Sequence, residues 1–84
     1  MTSPPAPLTM AAVRQQIDRI DEDLVKLLAE RQRWVETAIA VKQRDGIPAR
    51  VPERVDQVIG HVRDLARRHQ VDAALVESLW TEMI

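Results

Sequence analysis

The sequence predicts an all-α fold of three helices, one of them very long, in a chain that pairs with a second copy of itself. Three observations predict it. Apolar residues recur at helical three-and-four spacing through most of the chain. Glycine and proline stop signals fall in few places. The first helix is too long for a globule of 84 residues to cover.

The chain opens on Ser3-Pro4-Pro5-Ala6-Pro7, where prolines remove backbone donors and push their predecessors toward extended geometry. Residues 1–8 are therefore expected to be a flexible Pro-rich lead-in, and residues 9–84 a helical domain. Thr9 is a good N-cap, with Leu8 placed to pack on Val13 as a hydrophobic staple. From Val13 the apolar positions continue through Ile17, Ile20, Leu24, Leu27, Leu28, Val35, Ala38 and Ile39, and no Gly or Pro intervenes before Gly46. The result is one helix of about 35 residues, about 52 Å long at 1.5 Å per residue. A compact globule of this chain length has a radius of gyration near ~12 Å, so the stripe of helix 1 must meet another subunit. A two-fold axis that sets two long helices antiparallel is the simplest arrangement.

Gly46 suits the left-handed C-cap and Ile47-Pro48 blocks further helix. A short loop runs to Val51. Pro52 fits the first turn of helix 2, whose apolar face is Val55, Val58, Ile59, Val62, Leu65 and Ala66. Gly60 weakens that helix, which points to a close helix contact there. Asp72 caps helix 3, with Val71 and Val76 as a second staple and Leu75, Val76, Leu79, Trp80, Met83 and Ile84 as its stripe. Because the pattern stops on two apolar residues, helix 3 is expected to run on beyond Ile84.

Composition narrows the function. Lys and Arg number 12 against 13 Asp and Glu, which gives no overall basic field for nucleic acid. With no cysteine there are no disulfides or thiolate chemistry, and His61 and His69 form no zinc pattern and read as structural or surface residues. No metal and no cofactor is expected. No apolar run approaches the roughly 20 residues that span a bilayer, and the start of the chain lacks a signal-peptide pattern. The expectation is a cytoplasmic protein without a membrane partner.

Two charges stand in the wrong place. On a wheel of 100° per residue, Arg31 and Lys42 fall within about 20° of the centre of the helix 1 stripe, near Leu24. Burying an unpaired cation costs roughly several kcal/mol, so each needs an acidic neighbour, a route to solvent or an anionic ligand. Snorkelling or pairing with Asp or Glu accounts for either residue alone. Together they suggest more, because they lie three turns apart, about 16 Å, with Val35 and small Ala38 between them. Two long cations over that floor would clasp a ring with acidic substituents. Arg14, at the stripe's edge, is about 25 Å from Arg31 along the helix, so it joins such a site only from an antiparallel partner, and otherwise is a solvated charge. Arg54, in the first turn of helix 2, stands where free N–H groups and the helix dipole favour an anion, with plain surface as the alternative. Arg50 in the loop is a further candidate of that kind. Asp18, Asp21, Glu22, Asp23 and Glu30 read as the wet face of helix 1, with pairs such as Glu22 to Lys26. No nucleophile, base and orienting acid stand together, so catalysis would rest on shape and positive charge.

Residues 10–84 resemble the all-helical chorismate mutases of the intertwined-dimer type, together with the related isochorismate pyruvate lyases. The marks are Val13-Arg14-Gln15-Gln16-Ile17-Asp18-Arg19-Ile20-Asp21, then Leu27-Leu28-Ala29-Glu30-Arg31, Lys42, and Pro52-Glu53-Arg54-Val55. The resemblance implies an intertwined antiparallel homodimer. It implies that Arg14 of one subunit, with Arg31, Lys42 and Arg54 of the other, surrounds the two carboxylates of chorismate. Arg31 and Lys42 would be catalytic, Lys42 donating to the ether oxygen, with Val35, Ala38 and Val55 lining the site. The reaction would be the pericyclic rearrangement to prephenate, in aromatic amino acid biosynthesis. The sequence departs from the family's mutases twice. Val55 stands where they often carry a Glu that holds the substrate hydroxyl, and Pro52-Glu53-Arg54-Val55 looks more like the lyases. A Gln that assists at the ether oxygen lies farther along helix 3 than Ile84, so 84 residues alone would be weakly active or inactive. The alternatives are an isochorismate pyruvate lyase, giving salicylate and pyruvate, and a helical dimerisation module without chemistry.

Overall fold

A computed structural model describes residues 8–84, and the expected lead-in up to residue 7 lies outside the described residues. The chain divides into two units, one ending at Gly46 and the other Ile47–Ile84. Three helices make up the described fold: α1 Met10–Asp45, α2 Pro52–Arg68 and α3 Ala73–Met83.

The first unit is α1, 36 residues without a break. It starts where the sequence places it, because the Thr9 Oγ1 accepts a hydrogen bond from the Ala12 N–H at 3.1 Å and satisfies one of the helix's orphan donors. The staple adds little, since Leu8 stays 74% exposed. The helix ends at Gly46, whose φ of 69° is left-handed and whose N–H reaches the Lys42 carbonyl. Lys42 and Arg44 in the last turn complement the dipole there. At 1.5 Å per residue α1 is about 54 Å long. None of its residues is buried. Ile17, Ile20, Leu24, Leu28, Val35 and Ile39 remain between 44% and 53% exposed, an apolar stripe that this unit leaves uncovered.

The second unit is a helical hairpin, α2 packed on α3. Pro52 begins α2 at a position where its missing N–H costs nothing. The core of the hairpin is Val62 and Ala66, 5% and 4% exposed. Burial on that scale contributes about 1.5–3 kcal/mol for the Val side chain. From α3, Ala73, Val76, Glu77 and Trp80 are half-buried at helical spacing, while Leu75 and Leu79 remain exposed. Arg63 donates to Glu77 at 3.0 Å across the two helices. That pair is partly exposed and adds less than about 1 kcal/mol.

The turn between α2 and α3 closes in a way the sequence did not announce. Val71 N–H bonds the Ala66 carbonyl at 2.8 Å and Gln70 N–H the Arg67 carbonyl at 3.3 Å, the paired bonds of a Schellman cap. Gln70 takes the left-handed position with φ 59°, where glycine is usual. Asp72 then caps α3 by accepting from the Ala74 N–H at 2.9 Å, as expected. Gly60 departs from expectation: a Cβ there would meet nothing within 4 Å, so no close helix contact explains it among the described residues.

Candidate active site

The unbroken run of α1 keeps Arg31, Val35, Ala38 and Lys42 in one helical register, so the four share a face as the sequence predicts. Arg31 and Lys42 are half-buried, whereas most of α1, including Val35 and Ala38, is exposed. Arg31 makes no ion pair or side-chain hydrogen bond among the described residues. The pairing alternative for this cation is thus not realised among the described residues. The other basic residues of α1 contrast with it. Lys26 pairs with Glu22 at 3.0 Å, as expected for that spacing. Arg44 donates to Asp45 at 2.8 Å, and that hydrogen bond to the carboxylate raises the Arg44 pKa, with desolvation acting the other way.

Arg14 is exposed and lies 17 residues before Arg31 on the same helix, about 25 Å away along the axis. Within α1 the two cannot share a small ligand. Arg54 is exposed in the first turn of α2, its N–H bonded to the Val51 carbonyl at 3.0 Å, and Val55 beside it is half-buried. Arg50 is exposed in the preceding loop. Arg54 and Val55 belong to the second unit, the other candidates to the first. His61 and His69 are exposed, in keeping with a surface reading. Among the described residues no three His, Asp or Glu side chains gather as a metal ion would require. No helix among them is long and apolar enough to cross a membrane.

One feature of α2 was open to sequence reading only in part. Arg63 and Arg67 are each held by an acid, Glu77 at 3.0 Å and Asp64 at 2.9 Å. Arg54, His61 and Arg68 are not. Their seven-residue spacing stands in the sequence, but the sorting depends on Glu77 arriving from α3.

These features define a class: an all-helical chain whose longest helix sets a half-buried arginine, without an acid partner among the described residues, within an apolar face. The family model described as chorismate mutase type II matches residues 13–84, and the chain belongs to that family. It is 36% identical over 63 residues to a chorismate mutase of Methanocaldococcus jannaschii, covering 75% of this chain and 64% of that protein. To an isochorismate pyruvate lyase of Pseudomonas aeruginosa it is 37% identical over 76 residues, 89% of this chain and 73% of the lyase. A T-protein of Enterobacter agglomerans is 37% identical over 70 residues, 83% of this chain and 19% of that protein. The chain thus spans less than two thirds of the archaeal mutase and about a fifth of the T-protein. No solved structure gives a significant match.

Proposed function

We propose that this chain is a chorismate mutase, converting chorismate to prephenate in the cytoplasm as an antiparallel, intertwined homodimer. The observation that carries the reading is the family match over residues 13–84, a stretch that contains Arg14, Arg31, Lys42 and Arg54. Each active site would take Arg31, Lys42 and Arg54 from one protomer and Arg14 from its partner. Val35, Ala38 and Val55 would form the apolar floor. The substrate's two carboxylates supply the anionic partners that the half-buried Arg31 lacks among the described residues.

The rearrangement needs no covalent intermediate and no cofactor. Its barrier falls when the enolpyruvyl arm is held over the ring and when charge gathering on the ether oxygen is stabilised as the C–O bond breaks. Guanidiniums that clamp the carboxylates serve the first demand. Lys42, donating to the ether oxygen, serves the second, and it acts most strongly in a site from which water is excluded.

A second reading has its own support. The relative that covers most of this chain among those described is the lyase, and Val55 leaves no carboxylate after Arg54 to hold a substrate hydroxyl. On that reading the same cations bind isochorismate and release pyruvate. Assay of the purified protein with both substrates separates the two. Prephenate from chorismate is the expected product, while pyruvate from isochorismate without prephenate would transfer the assignment to the lyase.

A further inference from the structure

The charges on α2 are sorted by flank. Arg63 and Arg67 point their guanidiniums at Glu77 and Asp64. Arg54, His61 and Arg68 follow one another at seven-residue intervals, which on an α-helix makes a single row that drifts only about 20° per step. All three are exposed, and none has an ion pair or side-chain hydrogen bond among the described residues. Asp64, the acid nearest the far end of the row, is engaged by Arg67 from the other side at 2.9 Å. Glu53 and Asp56 lie round the helix, away from the line through Arg54 and Arg68.

Two arginines on one row that no acid satisfies among the described residues are an uncommon use of a helix surface, since exposed Arg on helices gains from acids three or four residues away. This row has a direction as well. It runs about 21 Å from Arg68 to Arg54, and Arg54 occupies the first turn, where the dipole of α2 adds positive potential. A dianion near any part of it is drawn toward the end that the proposed function makes a carboxylate site. We propose that Arg68 extends Arg54 into a cationic track, with His61 on the same row between them, that raises capture of the dianionic substrate without touching it in the transition state. The proposal rests on the mutase or lyase reading above, which supplies a substrate with two carboxylates. Arg68 then acts on encounter and binding through its field, and contributes nothing to the chemical step.

The test compares Arg68→Gln and Arg68→Glu with wild type at about 10 mM and about 0.5 M ionic strength, where the screening length falls from ~30 Å to a few Å. At low salt kcat/KM is expected to fall about twofold for Arg68→Gln and about fourfold for Arg68→Glu, with kcat unchanged, and the differences should vanish at high salt. Arg67→Gln removes the same unit of charge from the other flank of the apolar face, where Asp64 already offsets it, and should lower kcat/KM by less than Arg68→Gln does. Equal losses in Arg67→Gln and Arg68→Gln would reduce the effect to net charge and overturn the track. So would a loss that persists at high salt, a loss in kcat, or no loss at all. Wild-type protein that neither turns over nor binds chorismate or isochorismate is a different result, which sinks the substrate reading and the track with it.

Discussion

Arg31 carries the most chemical information of any residue in the chain. It is half-buried on the helix face that also holds Leu24 and Leu28, and no acid in the described structure meets it. Removing it should relieve a desolvation cost while removing transition-state charge stabilisation. Arg31→Ala and Lys42→Ala are therefore expected to lower turnover by about 10²–10³-fold each, the usual loss for one oriented donor, while circular dichroism reports an unchanged helix content. Wild-type turnover in both variants would move the active site elsewhere. Gln70 is the opposite kind of residue, one whose backbone matters more than its side chain. Its φ of 59° strains a side-chain-bearing residue, and the cap bonds around it hold the strain in place. Gln70→Gly should raise stability by about 0.5–1 kcal/mol, read as a shift in the urea midpoint at constant slope. A loss of stability would mean that the glutamine side chain holds the turn. The sequence left this position unread because an αL cap without glycine has no compositional signal, whereas Gly46 and Asp72 announce theirs by residue type.

The elements themselves were largely legible, for reasons that differ from helix to helix. α1 could be bounded within a residue or so because Thr9 and Gly46 act through short-range hydrogen bonds that any context preserves. The start of α2 was fixed by Pro52 in the same local way. What stayed hidden depends on neighbours: the burial of Val62 and Ala66 comes from α3, as does the acid that occupies Arg63. Gly60 shows how a sequence cue can mislead at this scale. A mid-helix glycine suggests a close approach, yet open space surrounds it. If nothing covers it in the assembled protein, Gly60→Ala should stabilise α2 by about 1 kcal/mol. Thermal unfolding checks this, and a destabilised or dissociated variant would show that another chain approaches there. Gly46→Ala is the matched control at the end of α1, expected to cost about 1 kcal/mol because φ is positive.

At the scale of the whole molecule, the candidate cations were legible one by one but not as a place, because they fall in two separate units and the proposed reading draws them from two protomers. Arg14 states the problem most sharply. It sits about 25 Å from Arg31 along one unbroken helix, so a small substrate that touches both requires a second copy. The stripe of α1, with six large apolar side chains near half exposure, offers the surface for it. A dimer of this kind predicts complementation between two inactive proteins. Arg14→Ala and Arg31→Ala, unfolded and refolded together in equal amounts, should form heterodimers in about half of all pairs, each with one site that lacks both arginines and one that keeps both. About a quarter of wild-type activity should return, although neither variant alone is active. The yield should fall on dilution along with the dimer, because folding and assembly draw on the same apolar face and the apparent stability then depends on protein concentration. A mixture that stays inactive while sedimentation shows mixed dimers would place Arg14 outside the substrate's reach. A folded monomer that persists at every concentration would remove the dimer itself, and with it the only route by which Arg14 and Arg31 can meet.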